Sequence, residues 1–428
     1  MKTIVLDDDP TGTQSATGVR VLLECSAELI ERELRVADSV YVQTNSRAIG
    51  VDAAVTLVRE VRAAGLAASA ALGAPVRFVL RGDSTLRGHV FAETAVFLEG
   101  AALEGAAPEG AAPEGAVPEG AVMLFVPAFP DGGRRTVDGI HLVRVDGVDL
   151  PAHESEYARD PVFGFGSGRL ADYVAEKSGR AAVPVSIDVV RSGGLAAALD
   201  VAPAGSVVLP DAHDNADIRL IAAAVEAASR PVVVRCAAPL ATMLAGVEST
   251  ALLPTPLLET PKPTLVVCGS HTAGATAQLA RLEERWGSLV VISTALALES
   301  PARAAAAAAV TDALRATGLA IVSTERLRAA EHNTLDHGER VMDALTRAVG
   351  AALPHVDVVV AKGGITSAEV ARHGLGATSA TVLGQVLPGV SAWSLVAADG
   401  RELLYLVVPG NVGDADTLER VLAAIGLS

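Results

Sequence analysis

Three carboxylates stand side by side at Asp7, Asp8 and Asp9, directly after the apolar run Thr3–Leu6 and directly before the turn Pro10-Thr11-Gly12. Adjacent like charges repel, and desolvation drives their pKa values upward. In α/β proteins, ligands bind outside the carboxyl ends of parallel strands. A carboxylate there can accept a proton from a hydroxyl nucleophile or hold Mg²⁺. Asp also caps helices and turns, but three in succession at a strand end favour chemistry over capping.

A second polar set, Arg81, Asp83, Ser84, Thr85 and Arg87, follows the apolar run ending at Leu80. Two guanidinium groups beside hydroxyls and a carboxylate suit a small polyhydroxy acid. Arg grips the acid group bidentately and Asp accepts from hydroxyls. A capped helix start with a surface ion pair would use the same residues. Arg47 ends another strand and, taken alone, reads as a solvated arginine. Arg134 and Arg135 sit in the glycine-rich turn PAFPDGGRRT. Several strand ends carrying Arg or Asp in one half of the chain matter more than any one of them, because a pocket needs convergence at one sheet edge.

In the second half, three strands run into glycine turns: VVCGSHTAG, VVVAKGGITS and VVPGNVGD. None has the Walker A or GxGxxG spacing. Strand–Gly-Gly-Ile-Thr-Ser–helix still offers backbone N–H groups and a helix N-terminus to an anion. Thr366 or Ser367 is expected to cap that helix. His271, a lone loop histidine, reads as structural.

The elements that must hold these residues alternate. Short β-branched runs (Thr3–Leu6, Ser39–Gln43, Val76–Leu80, Val122–Val126, Val183–Ile187, Val207–Leu209, Pro231–Arg235) are separated by stretches of helical period such as Ala53–Ala64 and Ile218–Ala228. The pattern predicts an α/β fold of two domains, each a mostly parallel sheet flanked by helices. The four prolines of Val247–Thr264 mark a linker, giving domains 1–246 and 265–428. Asp399-Gly400 between two strand-like runs is a hairpin signal. The five-residue repeat over 100–120 reads as a flexible surface excursion without chemistry.

The chain has 428 residues, of which 50% are hydrophobic and 20% charged, so it can bury a large core. A net charge of −16 with only four lysines (Lys2, Lys177, Lys262 and Lys362) argues against nucleic-acid binding. An anionic small substrate remains compatible if arginines cluster locally. Three scattered cysteines, Cys25, Cys236 and Cys268, read as reduced thiols. No signal peptide or membrane-spanning run is apparent, and the cytoplasm is the expected location.

Asp7-x-Asp9-x-Thr11 after a strand also fits the first motif of haloacid-dehalogenase-like phosphatases, with Asp7 as nucleophile and Asp9 as acid/base. Those enzymes need a later lysine and a later acidic pair at strand ends, and lysines are scarce here. The full series DDDPTGTQ, RGDSTLRG, PAFPDGGRRT, HESEYARDPVFG, GSHTAGATAQ, KGGITS and PGNVGD, in this order, resembles the four-carbon acid sugar kinase family of 3-oxo-tetronate, threonate and erythronate kinases. The resemblance covers nearly the whole chain. It implies an N-terminal substrate domain, a C-terminal nucleotide domain, ATP and the active site in the cleft between them, and phosphate transfer to a terminal hydroxyl. It puts Asp8 and Asp9 in catalysis. One would be the hydroxyl base, with Asp9 favoured, and its neighbour would position Mg²⁺ or substrate. Asp7 becomes peripheral. Arg47, Asp83, Ser84, Arg87 and Arg134 would line the substrate side. Ser270, Gly363, Gly364, Ile365, Thr366 and Gly410 would line the ATP side. Pro10, Thr13, Arg81 and Lys362 depart from many members, which bears on the substrate more than on the reaction. The implied partners are a sugar acid and ATP, without nucleic acid or membrane, and a homodimer is open to the chain. A ligand-sensing protein that binds without turnover is a third reading.

Overall fold

The computed structural model describes residues 1–98, 120–145, 147–249, 251–287, 289–292, 300–326, 335–410 and 412–427. Apart from Gly120, the 100–120 repeat lies outside these residues. The chain forms two compact units, one of Met1–Asp8 with Cys25–Glu248 and one of Asp9–Glu24 with Ser249–Ser428. This grouping differs from the colinear division only in the segment Asp9–Glu24 and by two residues at the boundary near Glu248. Asp9–Glu24 joins the second unit because its strand Arg20–Leu22 pairs antiparallel with Ser379–Leu387. Trp393 Nε1 also donates to Thr13 Oγ1 at 3.0 Å.

In the first unit, seven parallel strands run in the order Ser39–Gln43, Lys2–Asp7, Val76–Arg81, Val232–Cys236, Val122–Val126, Val207–Pro210 and Ala182–Val185. Strands Ser39–Gln43, Val122–Val126 and Val207–Pro210 are buried along their length, as β-branched runs covered on both faces should be. Helices Val51–Leu72, Val90–Leu98 and Asn215–Ala227 are among the crossovers. A separate antiparallel meander, Arg134–Val137, Ile140–Val145 and Val148–Pro151, extends from the Val122–Val126 strand end. Its first turn is Asp138-Gly139, both at positive φ (50° and 73°), the backbone a tight hairpin needs. The scarce aromatics gather here: Tyr173 contacts the rings of Phe91, Phe125 and Phe165.

In the second unit, five parallel strands run in the order Leu289–Ile292, Leu319–Thr324, Thr264–Cys268, Val358–Lys362 and Glu402–Val408. Antiparallel strands Val390–Val396, Ser379–Leu387 and Arg20–Leu22 continue the sheet. The hairpin expected at Asp399-Gly400 joins Val390–Val396 to Glu402–Val408. All three cysteines are free, with Cys236 and Cys268 buried and Cys25 partly exposed. Among the described residues, no helix is long and apolar enough to cross a membrane.

Candidate active site

In the first unit the strand ends carry a buried network of alternating charge. Asp7 and Asp8 both receive Arg81 Nη1, at 3.1 and 3.2 Å. Asp8 also receives Arg235 Nη2 at 3.2 Å and stands 3.6 Å from Arg47 Nε. Arg235 in turn pairs with Glu93 of helix Val90–Leu98. Arg47 reaches Asp83 at 3.3 Å, and Asp83 takes Arg87 Nε at 2.8 Å. Burial alone would raise the Asp83 carboxyl, but Arg87, Arg47 and the Thr85 hydroxyl together hold it well below the usual range. Asp7 shows the opposite balance: full burial pushes it up to about 7 against the pull of Arg81. Only glycine fits at two points of the network. A Cβ on Gly82 would lie 2.5 Å from the Arg235 guanidinium, and Gly88, at φ +118°, faces Asp8 and Arg47.

Arg134 heads the meander with its side chain 5% exposed, donating to the Gly132 carbonyl. Beside it, His141 Nε2 stands 2.7 Å from the Ser84 carbonyl, which assigns the ring proton to that nitrogen. Burial depresses His141 to about 4, so the imidazole is neutral. Arg87 lies over the Tyr157 ring at 5.0 Å.

In the second unit, three glycine turns converge. Gly363, at φ +114°, donates its N–H to the Val408 carbonyl at 2.8 Å. A Cβ on it would stand 3.1 Å from Thr366 Oγ1 and 3.2 Å from Ser270 Cβ. A Cβ on Gly410 would stand 2.7 Å from Ser270 Oγ. Thr272 caps helix Ala273–Trp286 and donates to the Gly410 carbonyl at 2.8 Å. Beneath the turns, buried Lys362 donates to the carbonyls of Pro409 (2.7 Å) and Val412 (3.0 Å), and desolvation lowers it to about 8. Asp9 completes the cluster. It accepts the Thr11 N–H at 2.7 Å and the Thr11 hydroxyl, and its Oδ2 lies 2.7 Å from where a Gly364 Cβ would be.

Each unit carries a recognisable domain signature. Residues 3–244 match the profile of a sugar-binding N-terminal domain, and residues 265–418 that of a nucleotide-binding C-terminal domain. The chain belongs to this family. Within the sugar-binding and nucleotide-binding family, it is 30% identical to a D-threonate kinase of Salmonella typhimurium over 55% of this chain and 52% of that one. It is 28% identical to a D-erythronate kinase of Heliobacterium modesticaldum over 95% and 88% of the two chains. A Salmonella typhimurium protein of known structure shares the fold, with a TM-score of 0.67 at 17% identity over 98% of each chain.

Asp8, Arg47, Asp83 and Arg87 thus meet in one ion-paired network of the sugar-binding unit, which Ser84 and Arg134 flank through His141. Ser270, Gly363, Gly364, Thr366 and Gly410 meet with Asp9 in the nucleotide-binding unit, and Ile365 is 39% exposed. Arg47 is no solvated arginine, since its side chain is only 13% exposed. The capping expectation needs correcting. Gly363 occupies the cap position without a side-chain bond, and Ser367 Oγ turns back to the Gly363 carbonyl at 2.8 Å. Arg235, Glu93 and His141 were missed. The only signal for Arg235 was an arginine near the end of the otherwise apolar run VVVRC.

Proposed function

We propose that the protein is an ATP-dependent kinase that phosphorylates a terminal hydroxyl of a four-carbon sugar acid of the threonate, erythronate or 3-oxo-tetronate class. One observation carries this reading: successive carboxylates are built into different units, Asp8 among arginines of the sugar-binding unit and Asp9 against the glycine turns of the nucleotide-binding unit. The named relatives support the same reaction and substrate class.

Phosphoryl transfer is mostly positioning and charge stabilisation. In this reading Asp9 accepts the proton of the attacking hydroxyl, and the turns at Ser270, Gly364 and Gly410 give backbone N–H groups to the phosphates, while the Gly363 N–H stays with the Val408 carbonyl. Arg47, Asp83 and Arg87 hold the acid and its hydroxyls. Asp8, bonded by Arg81 and Arg235 with Arg47 beside it, fixes these arginines and makes a poor seat for a cation. The Asp9 carboxylate is also a hard oxygen donor of the kind that holds Mg²⁺ together with substrate phosphates, and an ion on it would replace its role as proton acceptor. Bound there, the ion would neutralise charge on the transferring phosphoryl group.

The phosphatase alternative needs Asp7 to attack a substrate, yet Asp7 is fully buried and paired with Arg81. The test is a screen of threonates, erythronates and 3-oxo-tetronates with ATP, following the phosphorylated acid. ATP-dependent phosphorylation of at least one is expected. Acid binding without turnover, or phosphate release from sugar phosphates without ATP, would contradict the proposal.

A further inference from the structure

Of the four lysines, one is fully buried: Lys362, at 0% exposure, ends the strand Val358–Lys362. Its partners are the backbone carbonyls of Pro409 and Val412, and among the described residues no Asp or Glu pairs with it. A buried cation without a counter-charge is costly. The carbonyls it holds therefore show what it is kept for.

Both acceptors belong to one turn, and other side chains hold the same turn. Thr272 Oγ1 donates to the Gly410 carbonyl at 2.8 Å, and Gln278 Nε2 donates to the Val412 carbonyl at 3.2 Å. Gln278 is itself 1% exposed. The carbonyls of Pro409, Gly410 and Val412 are thus all drawn inward. In a trans peptide the C=O and N–H point in opposite directions. Turning the Pro409 carbonyl onto Lys362 turns the Gly410 N–H away from it, as a donor to an anion. The ammonium then lies beneath the turn, where its charge favours a phosphate above.

We propose that Lys362 is a positioning residue of the nucleotide site, whose ammonium fixes the Pro409–Val412 turn from beneath and thereby sets the affinity for the nucleotide phosphates. The inference deepens the kinase reading and rests on it for ATP as the ligand. Lys362 acts through the turn and does not touch the reacting atoms.

The charge also makes the site sensitive to pH. Desolvation lowers Lys362 to about 8, opposed by the Cys268 thiol. Cys268 stands opposite Lys362 in the strand pairing, and burial pushes it above the ordinary thiol range. Other ionisable groups around the turn have their own partners. Arg326 bonds Thr276 and the Ser270 carbonyl, His271 Nε2 stands 3.3 Å from Thr324 Oγ1, and Asp414 receives Arg420 and Thr417. An anion that binds the charged form more tightly draws a proton to Lys362. Affinity is then complete below a pKa of about 8 and declines as pH rises through it.

The experiment is calorimetry of ATP with Mg²⁺, without sugar acid, on wild type and Lys362→Met from about pH 7 to about pH 9, in buffers of different ionisation enthalpy. Wild-type affinity should fall by about tenfold over this range, within the limit of one decade per pH unit for a single proton, and binding near the upper end should take up protons. Lys362→Met should bind about 30-fold more weakly at the lower end, the scale of losing hydrogen bonds from a charged group. It should show neither the pH slope nor the proton uptake. If Lys362→Met does not fold, the wild-type slope and proton uptake decide. An affinity unchanged in Lys362→Met, a wild-type affinity that does not vary with pH, or a wild type that binds no nucleotide would overturn the assignment. Because no sugar acid is present, Lys362-dependent ATP binding stands even if the kinase reading fails in the phosphorylation screen.

Discussion

The Asp9 carboxylate lies against the α-carbon of Gly364. A Cβ on residue 364 would stand 2.7 Å from Asp9 Oδ2 and 2.9 Å from its Cγ, closer than real Cβ atoms come. The contact ties the last member of the acidic triplet to the glycine turn of the nucleotide-binding unit, 355 residues later in the chain.

Gly364 has an ordinary backbone φ, so alanine there introduces a steric probe with little backbone strain. Gly364→Ala should force the Asp9 carboxylate to move and lower kcat by about 100-fold, as misplacing a catalytic group does. Gly364→Val should also weaken ATP binding by blocking close backbone approach. Calorimetry with ATP and steady-state kinetics on both variants check this. Wild-type kinetics in Gly364→Ala would remove Asp9 from the reaction.

Arg235 bridges Glu93 and Asp8 at 1% exposure. Arg235→Met leaves Asp8 without one of its guanidinium neighbours and Glu93 without its charge partner, and should cost about 3–5 kcal/mol of stability. The double change Arg235→Met with Glu93→Gln should recover part of that loss, because it removes a charge of each sign. Urea unfolding of the single and double variants measures the difference. A stability of Arg235→Met equal to that of wild type would show that the bridge contributes nothing.

Asp7 gives a pH signature. Burial raises its folded pKa from the ordinary 3.8 to about 7. Between these values the folded state keeps a proton that the unfolded state has lost. Stability from this group is therefore fully present below the unfolded pKa and falls as pH rises through the folded one, with a slope of at most about 1.4 kcal/mol per pH unit. His141 works in the opposite sense. Its folded pKa of about 4 lies below its ordinary 6.5, so stability rises with pH over that interval. The comparison must accordingly be the difference between wild type and Asp7→Asn. From pH 4.5 to 7 wild type should lose stability relative to Asp7→Asn, and a flat difference would place the Asp7 pKa in the ordinary range.

The strand ends and glycine turns were legible because β-branched runs followed by Gly, Arg or Asp carry a local signal. The seven strands expected in the first half all appear within a residue or two, as with Val122–Val126. Three features were not legible. Arg20–Leu22 is a three-residue strand whose partner lies over 350 positions away, and so short a run has no period. The Glu93–Arg235 pair spans 142 residues, and in the sequence each looks like a solvated charge on an otherwise apolar element. The helix cap at Gly363 depends on φ of +114°, which permits a close turn without a polar side chain. The triplet itself gave no sign that Asp8 and Asp9 belong to different units. Only their partners, arginines for one and Thr11 and Gly364 for the other, separate them.

The most direct test is to measure ATP-dependent phosphorylation of a four-carbon acid by wild type, Asp9→Asn and Asp7→Asn, alongside phosphate release from sugar phosphates without ATP. The account predicts that wild type transfers phosphate only with ATP. Asp9→Asn should lose about 100-fold or more in kcat, the scale of a general base, while still binding ATP. Asp7→Asn should stay within about tenfold of wild type, because a buried residue paired with Arg81 acts only through structure. Complete loss of activity in Asp7→Asn, together with ATP-independent phosphate release by wild type, would contradict the account.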